Sequence, residues 1–176
     1  MKNLIKTTIA AAAMAFMTAM PGSAGTLDDA TIFAIFDQAN MADIATGRLG
    51  YKHGNTEEVR ALAKMVVTDH TAVQQMGRDL AKEMGILGTP PDGDQSWADQ
   101  AKSLKMLASM AGPDFDAAYL RYEVGYHTAV INAINTVLLP AIKNEKFKAL
   151  VVKVLPGFEH HLAATKAAAD KLGVTY

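Results

Sequence analysis

Apolar residues return every three or four positions along most of the chain, the period of an α-helix with one buried face. No stretch alternates with the period of two that marks a half-buried strand, and β-branched clusters are few. The pattern predicts four long helices. The first runs from about Leu27 to Tyr51, with Ile32, Phe33, Phe36, Ala39, Asp43 and Gly47 along one broad face. The second opens on Asn55, read as an N-cap with Glu58 three residues on, and stops at Gly85. Its inner face is Val59, Leu62, Val66, His70, Val73, Gly77, Leu80 and Met84. A loop rich in Gly, Pro and Asp covers residues 85–95, and a short helix from Ser96 to Met110 follows, capped by Ser96. The third long helix runs from about Asp114 to Leu139, with Leu120, Glu123, His127, Val130, Ile134 and Val137 on one stripe. The last runs from about Glu145 to Leu172 along Phe147, Val151, Val154, Phe158, His161, Thr165, Ala168 and Leu172. Pro156 lies inside it and is expected to leave the Val152 carbonyl without its usual donor and to bend the helix. Four long amphipathic helices with mostly short connections predict an all-α fold. Its natural form is an antiparallel four-helix bundle, with the short extra helix between the second and third long ones.

The stripes are not purely apolar. Asp43, His70, Glu123, His127 and His161 sit among the residues expected to face inward. Burying such groups costs several kcal/mol unless they are paired or bind a metal. Imidazole and carboxylate are also the usual donors for Zn, Fe, Mn or Cu where no sulfur is present. Glu123 and His127 are four residues apart, so both project from one helix face. His127 and His161 are equidistant from the turn near Asn144 and should meet at one depth. Asp43 and His70 are less symmetric about their turn, which at 1.5 Å rise per residue predicts a stagger of roughly 6 Å. The spacing therefore favours a site built mainly by His127, His161 and Glu123, with His70 or Asp43 reaching in. His53 falls in a turn and should be solvated; His160 points away from His161 and should flank the site. The scattered methionines form no copper motif and read as packing.

The chain has 176 residues, 17 Lys+Arg against 18 Asp+Glu, and no Cys. The near-neutral balance argues against a nucleic-acid binder, which needs a clustered basic face. Lack of Cys excludes disulfides, thiolate metal sites and thiol nucleophiles. Residues 1–24 read as a signal peptide: Lys2 and Lys6, an apolar run from Thr7 to Met20, then Pro21 and small residues before a cleavage after Ala24. The expected address is the periplasm, with outer-membrane association open. Residues 25–176 fit one domain, and no later run is long and apolar enough to span a bilayer.

Three blocks carry a family resemblance. The first is Met41-Ala42-Asp43-Ile44 to Leu49, with Val59-Arg60 and Met65-Val66 to Asp69-His70. The second is Phe115-Asp116-Ala117-Ala118-Tyr119 leading to His127. The third is Leu155-Pro156 to His160-His161-Leu162. In this order they resemble the DUF4142 family, exported bacterial proteins with a ferritin-like bundle. The resemblance implies that fold and that address more than any activity. The family's first acid is usually Glu and here is Asp43. Asp69-His70 and His160-His161 are intact. The acid before the third-helix histidine is replaced by Tyr126. Ferritin-like di-iron sites use Glu-x-x-His on two helices, but Val67 and Phe158 stand three before His70 and His161, so a di-iron oxidase is disfavoured.

The reading from sequence is thus an exported helical bundle binding a transition-metal ion through His70, His127, His161, Asp43 and Glu123. Whether it is an enzyme stays open, and so do a protein partner and a homo-oligomer. The alternative is a metal-free, non-enzymatic envelope protein whose histidines form a polar network and whose helix faces bind a partner. A third idea is a bundle that responds to pH through its histidines.

Overall fold

Side-chain caps open three of the four long helices among the described residues. In a computed structural model, which describes residues 27–176, α1 spans Asp29–His53 and is capped by the Asp28 carboxylate, which accepts from the Thr31 N–H at 2.8 Å. The signal peptide expected over residues 1–24 lies outside the described residues. Next, α2 spans Glu57–Met84. Its cap is Thr56 rather than the expected Asn55: the Thr56 hydroxyl accepts from Val59 N–H, while the Asn55 N–H donates to Asp116. Gly85, at φ 67, ends α2 in the left-handed conformation that glycine adopts without strain. Helix α3 covers Ser96–Ala108 and has no side-chain cap; the Ser96 hydroxyl bonds to Gln38 of α1 instead.

Helix α4 spans Gly112–Ala133, then widens into a π-helical turn over Ile134–Leu138 and closes with the short α5, Leu139–Ala141. Leu139 N–H reaches back five residues to the Ile134 carbonyl. Pro140 has no N–H for the Thr136 carbonyl four residues back, so the α ladder is already broken there. The extra residue moves burial from the expected Val137 to Leu138. Helix α6 spans Glu145–Lys171, capped by Asn144, and runs through Pro156. Val152 is exposed, so the carbonyl that Pro156 leaves without a donor can be met by water.

The described residues form an all-helical bundle without strands. Helices α1 and α2 make the most extensive pair, in opposite directions: Gly50 lies against Ala63, Asp43 against His70 and Phe36 against Gly77. A Cβ on Gly77 would lie 2.6 Å from the Phe36 ring, and one on Gly50 2.6 Å from the Tyr119 ring, so both glycines are needed for close approach. Helix α4 packs on α6, α2 on α6 and α1 on α4, while α3 lies against α1 and α4. Two carboxylates tie turns to helices. Asp116 accepts from the backbone N–H of Asn55 and Thr56, and Asp29 from those of Lys143 and Asn144. No helix among the described residues is long and apolar enough to cross a membrane.

The core has two apolar sets. One gathers Val59, Leu62, Val66, Leu107, Phe115, Tyr119 and Leu120; the other gathers Ile32, Phe36, Ile134, Leu138, Phe147, Val151 and Phe158. His70 on α2, His127 on α4 and His161 on α6 fall between the positions that feed the two sets, with Asp43 and Glu123 beside them. The bundle therefore carries a polar layer across its middle.

Candidate metal centre

Each long helix supplies the polar layer from its inward face: Asn40, Asp43 and Thr46 from α1, His70 from α2, Glu123 and His127 from α4, and His161 and Thr165 from α6. All are 2% exposed or less. The five residues singled out in the sequence come together. Asp43 is the hub, with Oδ2 2.8 Å from His70 Nε2 and 3.2 Å from His127 Nε2. His161 Nδ1 lies 3.1 Å from His70 Nε2. One ligand atom from each of His70, His127 and His161 lies within 4.8 Å of the others, and the same holds for Asp43, Glu123 and His127. The expected stagger of Asp43 and His70 is corrected by the direct contact between them. Equal distance from a turn measures backbone depth only, and these two side chains reach along the helices to meet.

The outer ring nitrogens decide where the lone pairs point. His70 Nδ1–H donates to Asn40 Oδ1 at 2.9 Å. The orientation of Asn40 is fixed because its Nδ2 donates to the Phe36 carbonyl at 2.8 Å, and a carbonyl can only accept. His127 Nδ1–H donates to the Glu123 backbone carbonyl at 3.1 Å. His161 Nε2–H donates to Asp69 Oδ2 at 3.0 Å. With each outer nitrogen holding the proton of a neutral ring, the inner nitrogens of His70, His127 and His161 present lone pairs to one another, and those of His70 and His127 also to Asp43 Oδ2. Electron-rich atoms this close repel unless a metal ion or a proton stands among them. Outer-nitrogen anchoring by carboxylate or carbonyl is also how proteins orient metal-binding histidines.

The oxygens show the same deficit. Both carboxylate oxygens of Asp43 and of Glu123, His127 Nε2 and the Tyr119 hydroxyl are buried without a well-aligned hydrogen bond. Such groups are rare in folded proteins and ask for a physical reason. Burial works to raise the Asp43 pKa, but the imidazoles of His70 and His127 outweigh it and hold the carboxyl well below its usual range. Burial and the Asp43 charge together push Glu123 well above the carboxylate range. The two acids thus divide into an anion and a neutral acid. Burial opposes charge on His127, yet the Asp43 carboxylate prevails and raises its pKa. Burial lowers the His161 pKa, against the hydrogen bond it donates to Asp69. Burial is the main cause that raises the Tyr119 pKa.

His53 and His160 are exposed, as their positions predicted. Sequence reasoning missed Asn40 and the role of Asp69. Asn40 lies three residues before Asp43, on the same helical face, but is not ionisable. Asp69 adjoins His70 in sequence and serves His161 in space.

No curated protein and no solved structure matches the chain. Residues 13–168 match the family described as Domain of unknown function (DUF4142). That match spans both halves of the α1–α2 pair, α4 and nearly all of α6, and so every residue of the polar layer. The chain belongs to the DUF4142 family.

Proposed function

We propose that this protein is an exported, ferritin-like four-helix bundle that holds one transition-metal ion in its polar layer. His70 Nε2, His127 Nε2, His161 Nδ1 and Asp43 Oδ2 are the ligands, and Glu123 stands beside Asp43 as the second carboxylate. The observation that carries this reading is the convergence of three imidazole nitrogens whose outer partners are already engaged, with Asp43 Oδ2 against two of them. Three imidazoles and a carboxylate suit Zn, Fe, Mn or Cu and exclude none of them. Four protein donors and almost complete burial favour holding an ion over turning over a substrate, because catalytic sites keep an open position.

Export rests on residues 1–24, and the mature domain begins after Ala24. The mass of the protein recovered from the periplasm tests both; an uncleaved chain retained in the cytoplasm overturns them. The ferritin-like arrangement rests on the ring of contacts α1–α2–α6–α4 and on the donors projecting inward from all four helices.

The test of the site is to purify the protein without chelator or affinity metal and measure bound metals by mass spectrometry. One equivalent is expected, lost when His127 and His161 are both replaced by Ala. A second reading, a metal-free polar network, draws on the Asp43–His127 contact, since a proton on His127 Nε2 also places positive charge beside Asp43. A folded, metal-free protein that ignores added Zn, Fe, Mn and Cu selects that reading.

A further inference from the structure

A cation bound in the polar layer has to pass side chains that leave no opening. Asp43, Glu123 and His127 have no exposed surface, and His70 and His161 have 1% and 2%. The three imidazoles differ, however, in what holds them. His70 is fixed by Asn40, itself fully buried, and His127 by a backbone carbonyl inside α4. Breaking either bond strands a buried polar group. His161 alone is held by a partner in water: the Asp69 side chain is 51% exposed, and its Oδ2 accepts from His161 Nε2. A hydrogen bond at an exposed carboxylate exchanges readily for one to water. Asp69 also lines an open groove of about 730 Å³, with Tyr51, Arg60, Lys64, Met65 and Thr68 among others.

Resting on the metal reading above, we infer that the Asp69–His161 hydrogen bond is the latch of the centre. The ion passes in and out beside the His161 ring when that bond opens. Asp69 is a positioning residue here: it holds the ring in place and does not bind the ion in the closed state. Loosening it speeds passage in both directions, so uptake and release change together. A residue that only stabilises the bound state changes release alone.

Two measurements on the full chain test this. The first needs no metal: carbethoxylation of the histidines in metal-free protein, followed peptide by peptide. Exposed His53 and His160 should react fastest, His161 more slowly, and His70 and His127 least. Asp69→Ala should speed His161 several-fold. An unchanged His161 rate, or His70 or His127 reacting as fast as His161 in the unaltered protein, overturns the latch. The second uses cobalt(II) as a probe. Asp69→Ala should raise uptake and transfer to a chelator several-fold each, Asp69→Asn less so, and Asp79→Asn on the same helix neither. A rise in release alone overturns the latch and leaves Asp69 as a simple anchor. If the unaltered protein takes up no cobalt and no other transition metal, the metal reading fails, and the carbethoxylation result still decides whether this edge opens.

Discussion

Phe147 and Asp43 are both buried, 2% and 0% exposed, yet they answer to different rules. Phe147 meets Phe33 and Phe36 edge-on, with ring centroids 6.2 and 5.9 Å away. Its contribution is area removed from water and close packing, and its neighbours remain satisfied if it is lost. Asp43 makes sense only through His70 and His127, each anchored in turn by a group on a defined side. In the apolar layer a residue is an increment of burial. In the polar layer it is a condition on its neighbours.

The sharpest way to break the comparison is to delete one residue from each layer. Asp43→Ala should cost about 3–5 kcal/mol, since it leaves buried polar partners uncompensated. Phe147→Ala should cost a similar amount, about 3–5 kcal/mol, through lost burial and a cavity. Denaturant unfolding measures both. The layers separate when metal is added: a saturating ion should raise the stability of Phe147→Ala, by about 2.7 kcal/mol at a hundredfold excess over Kd, and leave Asp43→Ala unmoved. Equal responses would show that the ion is not held at Asp43.

Asn40→Ala comes next. It should cost about 1–3 kcal/mol by stranding His70 Nδ1–H. It should also weaken metal binding about 10–100-fold, because it frees the tautomer of His70. Titration with a competing chelator measures the affinity, and an unaltered Kd would remove Asn40 from the site.

A graded effect is expected from pH. The His127 pKa is raised above 6.5, so its stabilisation is complete below 6.5 and is lost as pH rises through the raised value. Asp43 is lowered below 3.8, so its stabilisation is present above 3.8 and is lost as pH falls through the lowered value. Metal-free protein should be most stable between these limits. The metal-loaded form should lack the decline at higher pH, because the ion has replaced the proton. Thermal unfolding of both forms from about pH 2 to 9, which brackets both ordinary values, checks this; matching profiles would show that no exchange occurs. The smallest effect belongs to a residue outside both layers. Thr56→Ala should cost about 1 kcal/mol as a lost N-cap and leave metal content unchanged.

The four long helices, the short α3 and the five ionisable residues of the polar layer were legible in the sequence. The signal was an ionisable residue standing where periodicity demanded an apolar one. The stripe of α6 holds as expected through Thr165 and then shifts by one position to Ala169, while that of α2 holds through His70, keeps Gly77, and shifts by one position to Gln74 and Ala81 in place of Val73 and Leu80. Helix α1 was read less well. It is covered by α2, α3 and α4, so Gln38, Asn40 and Thr46 are buried, while Phe33 and Ala39 of the expected face are only half-buried. A helix enclosed on several sides has no single stripe for periodicity to reveal. Asp69 escaped for the opposite reason. Half exposed, it carries no sign of burial, and its partner lies ninety-two positions away on another helix.

The π-helical turn at Ile134–Leu138 gives α4 two rotational settings in one rod. Before it, the angular phase is set by Glu123 and His127, whose direction has little tolerance. From its last residue on, Leu138 and then Ile142, just past α5, need only face the apolar set. One additional residue turns a helix by about 100°, and the wide turn absorbs that rotation locally. The apolar end of α4 can therefore be retuned by insertion or deletion in this segment while the aim of His127 stays constant. In mechanical language, the turn is a clutch between the part of the rod that must be aligned and the part that must only be filled.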